Sequence, residues 1–103
     1  MAYKILTTDE FDVDLDEILR YIAVKLSNPG AASSLADELE KYYGLLEAHP
    51  YLFEESRDPL LRQRGYRKFI VGNYIALYLV DDQQQTVTVA RLFYGKRDYL
   101  NYI

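Results

Sequence analysis

The sequence predicts a two-layer α+β domain: an N-terminal strand, an antiparallel two-helix hairpin, then a three-strand antiparallel meander. Two patterns carry that prediction. Apolar residues recur at three- and four-residue steps from Phe11 to Leu46, interrupted at Asn28-Pro29-Gly30, as a pair of amphipathic helices requires. Beyond Gly65 the chain switches to strand-like runs separated by Gly72-Asn73 and by Asp81 to Gln85, which are turn sequences. Two helices with apolar stripes must cover a sheet, so both are expected on one face of it.

Each element follows from its residues. Tyr3 to Thr7 alternates and reads as a short strand, which joins the sheet at its edge or its centre. Thr7, three residues before Glu10, has the spacing of a capping box, and Asp9, Glu10 and Asp12 suit the positive end of a helix dipole. Phe11, Leu15, Ile18, Ile22 and Leu26 then form one helical face of about five turns. Asn28 is a good N-cap and Pro29 a good first residue for a second helix, whose stripe is Ala32, Leu35, Leu39, Tyr42 or Tyr43, and Leu46. Pro50 disfavours helical geometry in His49, so the helix is expected to stop there. Residues 51–65 read as a long loop. Strands come next at 66–71, 74–80 and 86–94, and a short tail runs from Gly95 to Ile103. On the middle strand Ile75, Leu77 and Leu79 are expected under the helices, with Tyr74, Ala76 and Tyr78 on the other face.

The chain has 103 residues, 50% of them hydrophobic, enough for a single domain over residues 1–103. The formal charge of −4 is unevenly spread. Residues 1–55 hold four basic and twelve acidic groups; residues 56–103 hold eight basic and four acidic ones. The halves therefore carry −8 and +4, an acidic helical layer and a basic layer able to meet phosphate. The chain has no cysteine, which excludes disulfides and fits a cytoplasmic location. With His49 as the sole histidine, neither a Cys-based nor a His-rich metal site is possible. No apolar run approaches the roughly 20 residues of a membrane span, and no signal-peptide pattern opens the chain. No phosphate loop, serine triad or cofactor motif is present.

One constellation could carry chemistry. Arg62, Arg64, Arg67 and Lys68 lead into the first meander strand; Arg91, Tyr94, Lys96 and Arg97 close the last. If the strand order brings them together, they form a cationic surface floored by tyrosines such as Tyr78, suited to phosphates and splayed bases. A solvated strand rim accounts for the same charges. Strict alternation puts Tyr94 with Leu92, Ala90 and Thr88, and Arg91 on the Val87 face, an odd place for a charge unless a bulge intervenes. His49 is expected only to close its helix.

The order of elements, the segment from Arg67 to Tyr78 (RKFIVGNYIALY) and the ending from Ala90 to Tyr99 (ARLFYGKRDY) resemble the RelE/ParE superfamily, toxins of type II toxin–antitoxin systems. The resemblance spans nearly the whole chain. It implies a cognate antitoxin as partner, no cofactor, and one of two actions. RelE-type members cleave mRNA on the ribosome, which needs a base, cations for the developing charge and an acid for the leaving oxygen. Arg67 and Arg91 would match charge-stabilising positions, Tyr94 the acid or stacking position, and Arg97 a phosphate contact. Arg62, Arg64, Lys68, Lys96 and Tyr78 would bind RNA or another target. ParE-type members inhibit DNA gyrase without such chemistry, and the long hairpin and the Tyr-Gly-Lys-Arg-Asp ending lean that way. The family's frequent middle-strand arginines are here Ile75 and Leu79, and its frequent late histidine is Tyr94, whose ordinary pKa near 10 makes a poor base. A third reading is a degenerate, non-toxic member that keeps only antitoxin binding and operon autoregulation.

Overall fold

The computed structural model describes residues 2–95; the tail from Lys96 to Ile103, with Lys96 and Arg97, lies outside the described residues. Strand β1 (Lys4–Thr7) leads into α1 (Asp9–Arg20), whose last turn widens into a π-helical turn at Tyr21–Lys25. Helix α2 (Pro29–Ala48), the short helix α3 (Pro59–Gln63) and strands β2 (Arg67–Val71), β3 (Tyr74–Asp81) and β4 (Thr86–Tyr94) complete the order. The sheet order is β1-β4-β3-β2. β1 runs parallel to β4, with Ile5 opposite Val87 and Thr7 opposite Val89, and the meander is antiparallel. The first strand thus takes an edge.

α1 starts one residue later than the capping-box spacing suggests. Thr8, not Thr7, is the N-cap: its Oγ1 accepts from the Phe11 amide at 3.0 Å and donates to the Ala90 carbonyl at 2.7 Å. Thr7 is committed to the ladder with β4, which leaves the next threonine to begin the helix. At the other end, the π turn lets the Leu26 amide reach the Tyr21 carbonyl at 3.1 Å. The extra residue in that turn rotates the side chains beyond it around the helix axis. Ile22 stays in the core, but Leu26, expected there too, is 55% exposed. Asn28 caps α2 as its sequence indicates, accepting from the Ala31 amide at 3.1 Å, and the His49 amide closes α2 onto the Leu45 carbonyl at 2.8 Å.

The main core lies between the hairpin and one sheet face. Phe11, Ile22, Leu35, Leu39 and Leu46 from the helices meet Phe69, Val71, Ala76, Tyr78, Val87, Val89 and Leu92 from the strands. The middle strand therefore sits the opposite way to the sequence expectation: Ala76 and Tyr78 face the helices, while Ile75 and Leu77 face away. The reason is α3. The stretch read as loop folds a helical turn, capped by Asp58 at 3.0 Å and 3.1 Å, that lays Leu61 over Leu77 and Phe93. β3 is thus buried on both faces, and a strand buried on both faces has no polar alternation to reveal which side is which.

Asp82, in the β3–β4 turn, fastens three segments: it accepts from the Tyr3 hydroxyl at 2.7 Å and from the Tyr51 hydroxyl at 2.6 Å. These bonds hold Asp82 below the ordinary carboxylate range and push Tyr3 up to about 12. Tyr43 is pushed up to about 12 by burial, with Glu40 and Asp12 adding to it. A tyrosine whose folded pKa exceeds its unfolded value near 10 favours the fold fully below pH 10, and that contribution is lost as the pH rises toward 12. An ultraviolet titration of the tyrosines should therefore show a late class that Tyr3→Phe reduces by one. If all the tyrosines of the folded protein ionise near 10, the Asp82 clasp does not form in solution.

Candidate functional site

β4 carries a bulge where its register with β3 shifts: Tyr78 lies opposite Val89, but Leu77 lies opposite Arg91. The extra residue, Ala90, flips the alternation. Val87 and Val89 before it and Leu92 after it all face the helices. Arg91 and Phe93 are thereby turned to the far face, which resolves the oddity of a charge in an apolar strand. Alternation broken between Val89 and Leu92 was the sequence signal for this bulge.

On that far face Lys68, Leu77 and Arg91 stand side by side across β2, β3 and β4. The Arg91 guanidinium lies over the Phe93 ring, 4.6 Å from its centroid. Its Nε and Nη2 donate to the two carboxylate oxygens of Asp14 at 2.8 Å and 3.1 Å. Asp14 also accepts from the Leu92 amide at 3.0 Å. β1 pairs with β4 only as far as Val89, so beyond it α1 takes over the strand edge, and Asp14 satisfies an amide that no strand meets. The bond to Asp14 raises the Arg91 pKa further above its ordinary value, so the charge is permanent. Arg62 and Arg64 are exposed on α3 and its cap, the segment covering this face, and Lys68 is half-buried. Four of the sequence-selected cations, Arg62, Arg64, Lys68 and Arg91, thus belong to the α3 side of the sheet.

Arg67, Tyr94 and Tyr78 do not join them. Arg67 shares the helix side with Phe69 and Val71 by strand alternation. It donates to the Phe53 carbonyl at 2.8 Å, meets Glu55 at 3.7 Å and lies 4.8 Å over the Tyr51 ring. These contacts tie it to the chain between α2 and α3. Tyr94 faces the helix side too, at the opposite end of the sheet, edge-on to Tyr74 at 5.8 Å. Arg67 pairs with Tyr78 and Tyr94 with Tyr74, four residues apart along β3, or about 13 Å at strand rise. Tyr78 is fully buried, with its hydroxyl donating to the Pro50 carbonyl at 3.1 Å. It cannot floor a binding surface, and burial raises its pKa. Arg97 and Lys96 lie outside the described residues.

Among the described residues no cluster of acidic, histidine or cysteine side chains could hold a metal ion, and no helix is long and apolar enough to cross a membrane. The arrangement offers a fixed cationic rim around an apolar patch. Among the described residues it brings no base, acid and cation within reach of one phosphate. Sequence reasoning missed Asp14, Phe93 and Leu61; the first is one of six acids between Asp9 and Glu17, and nothing local distinguishes it from the solvated ones.

The same architecture occurs in solved structures of low sequence identity. A toxin–antitoxin complex, RelBE2 of Mycobacterium tuberculosis, matches with 22% identity and a TM-score of 0.64 over 91% of this chain and 99% of that one. A chromosomal ParDE toxin–antitoxin system from P. aeruginosa matches with 18% identity and a TM-score of 0.71 over 92% and 98%. A double-arginine mutant of the E. coli toxin RelE in the free state matches with 15% identity and a TM-score of 0.64 over 99% and 93%. No curated protein matches the sequence. The family model for the ParE toxin of type II toxin–antitoxin systems matches residues 5–99. The chain belongs to the ParE toxin family of type II toxin–antitoxin systems.

Proposed function

We propose that this toxin is neutralised by a cognate antitoxin and arrests growth by binding its target, as ParE-type inhibition of DNA gyrase, without cleaving RNA. The observation that supports this reading is the scatter of the residues that cleavage would need. Arg67 is engaged by the Phe53 carbonyl, Arg91 by Asp14 on the other face, and Tyr94 stands against Tyr74 at the far end. Transfer of a ribose hydroxyl onto the adjacent phosphate needs its base, acid and cations within about 3 Å of the reacting atoms. Binding needs only a surface, and the α3 side supplies one: Leu60, 59% exposed, and Ile70, 59% exposed, with Arg62, Arg64, Lys68 and Arg91 around them.

The test is induced expression with DNA topology and transcript integrity followed in parallel, backed by a supercoiling assay on purified protein. Supercoiling is expected to fall while transcripts stay intact. Tyr94→Phe should remain fully toxic, and the triple change Arg62→Ala, Arg64→Ala and Lys68→Ala should lose toxicity while staying folded. Ribosome-dependent transcript cleavage abolished by Tyr94→Phe would overturn the reading. Harmless expression of the wild type without antitoxin would instead mark a member retaining only antitoxin binding and operon autoregulation.

A further inference from the structure

Two adjoining hollows lie at the hairpin tip, on the side of the sheet away from α3. Helix α1 and its last turn present Glu17, Ile18 and Tyr21 at spacings of three and four residues, which share one helical face. The π-helical turn that begins at Tyr21 then leaves Leu26 outside the core. With Tyr74 and Tyr94 from the sheet, these residues line a hollow of about 650 Å³, a size that suits a small organic molecule. Leu26, Asn73 and Tyr74 are shared with a second hollow of about 400 Å³, bordered by Ser34 and Glu38 of α2. The two form one trough with a carboxylate in each half.

The lining selects the charge of a ligand. Among the described residues no lysine, arginine or histidine borders either hollow, so a phosphate or carboxylate finds no counter-charge there. Among the same residues neither Glu17 nor Glu38 has an ion-pair partner. Around them the hairpin carries ten acidic groups between Asp9 and His49 against Arg20, Lys25 and Lys41, a field that draws cations. The rings add a second attraction. Tyr74 and Tyr94 meet at 68° with centroids 5.8 Å apart, a corner of two π systems, and Tyr21, 53% exposed, borders the same space. Burial and the Tyr94 and Tyr21 hydroxyls raise the Tyr74 pKa, so the ring stays a neutral phenol. Phenol faces attract an ammonium group as it leaves water. Ile18 and Leu26 offer apolar contact to a methylene chain, which a bare metal ion cannot use. We propose that this trough binds an aliphatic polyamine: one ammonium group pairs with Glu17 in the tyrosine corner, a second pairs with Glu38, and the methylene chain lies across Leu26 and Tyr74. The site is separate from the α3 face and does not depend on the target-binding reading.

The experiment is isothermal titration calorimetry of the full chain with spermidine at neutral pH, at low and high salt. The wild type should show one saturable site per chain that weakens with salt. Butylamine, with a single ammonium group, should bind about tenfold more weakly because it forgoes the second contact, and magnesium chloride should show no such site. Glu17→Gln/Glu38→Gln should weaken spermidine about tenfold or more at low salt and remove most of the salt dependence. Tyr21→Leu should weaken it about fivefold, while Tyr21→Phe, which keeps the ring, should stay within about twofold of the wild type. Glu17, Glu38 and Tyr21 are exposed, so the fold is expected to survive, and circular dichroism verifies it. Absence of saturable spermidine binding overturns the proposal. Magnesium competing at equal affinity, or spermidine binding indifferent to Glu17→Gln/Glu38→Gln, reduces the effect to the general field of an acidic hairpin and overturns it too. Equal losses in Tyr21→Phe and Tyr21→Leu overturn the role of the ring, and with it the site. Butylamine binding as tightly as spermidine would mark a pocket for one ammonium group, such as a lysine side chain of a protein partner, and overturns the polyamine assignment.

Discussion

Phe69→Ala is expected to destabilise the protein by about 4 kcal/mol, which lowers the melting temperature by roughly 15 °C or more in a domain of this size. Phe69 is 2% exposed and stands at the centre of an aromatic cluster. Tyr42 stacks on it with centroids 4.6 Å apart, Phe53 leans on it at 5.6 Å and Tyr78 at 6.0 Å. Truncation loses the burial of a whole ring and leaves a void that three rigid rings cannot close by rotamer changes alone. The loss spreads beyond the void. Phe53 is held by this cluster, and its carbonyl anchors Arg67; Tyr42 reaches from it to the β2 edge. The variant should therefore lose protection along β2 and residues 51–56 ahead of the rest. Because total stability of such domains is about 5–15 kcal/mol, the variant should be close to unfolding at growth temperature. Phe69→Leu, which keeps most of the volume, should lose only about a third as much. Urea unfolding of both variants is the measurement, and a loss below about 1 kcal/mol for alanine would show that the cluster is loosely packed.

The elements were legible where local chemistry dictates local structure. Asn28 and Pro29 announce α2, His49 before Pro50 ends it, and Gly72-Asn73 makes the β2–β3 turn, with Gly72 at φ 57. The family emerged from that order and from the closing residues. The faces were not legible, and the cause is physical. β3 is apolar on both sides because α3 covers what an ordinary two-layer sheet leaves open, so its alternation holds no sign of direction. α3 itself is five residues long, too short for a periodicity to stand out. The candidate site suffered in consequence. Tyr78 looked available because its hydroxyl suggested a wet face, whereas that hydroxyl finds a carbonyl at the core rim. Arg67 and Arg91 looked like a pair because both flank the meander, yet one bulge at Ala90 places them on opposite faces. A single inserted residue changes which side chains meet, and register decides site geometry more than composition does.

That bulge also sets the second large effect, at Asp14. Asp14→Ala is expected to destabilise the protein by about 2–3 kcal/mol. The side chains of Asp14 and Arg91 are 13% and 24% exposed, so neither charge is well solvated, and the carboxylate is the acceptor for three donors at once. Removing it strands the Leu92 amide at the strand edge and takes from the Arg91 guanidinium a half-buried carboxylate that accepts two of its hydrogen bonds, which is why the loss exceeds that of an ordinary ion pair. Asp16 and Arg20 provide the contrast on another face of the same helix: they pair at 3.1 Å with side chains 59% and 77% exposed, and Asp16→Ala should change stability by no more than about 0.5 kcal/mol. Replacing Arg91 alone leaves Asp14 bound to the Leu92 amide, so Arg91→Met should be milder than Asp14→Ala, and the double-mutant cycle should return a coupling of about 1–2 kcal/mol. Asp14→Asn separates the two roles. Its amide oxygen can still accept from Leu92 but offers no charge to Arg91, so an intermediate loss is expected. Equal losses for Asp14→Ala and Asp16→Ala would mean that α1 does not seal the β4 edge. In that case the orientation of Arg91 on the α3 side, and with it the shape of the proposed target-binding face, would need another source.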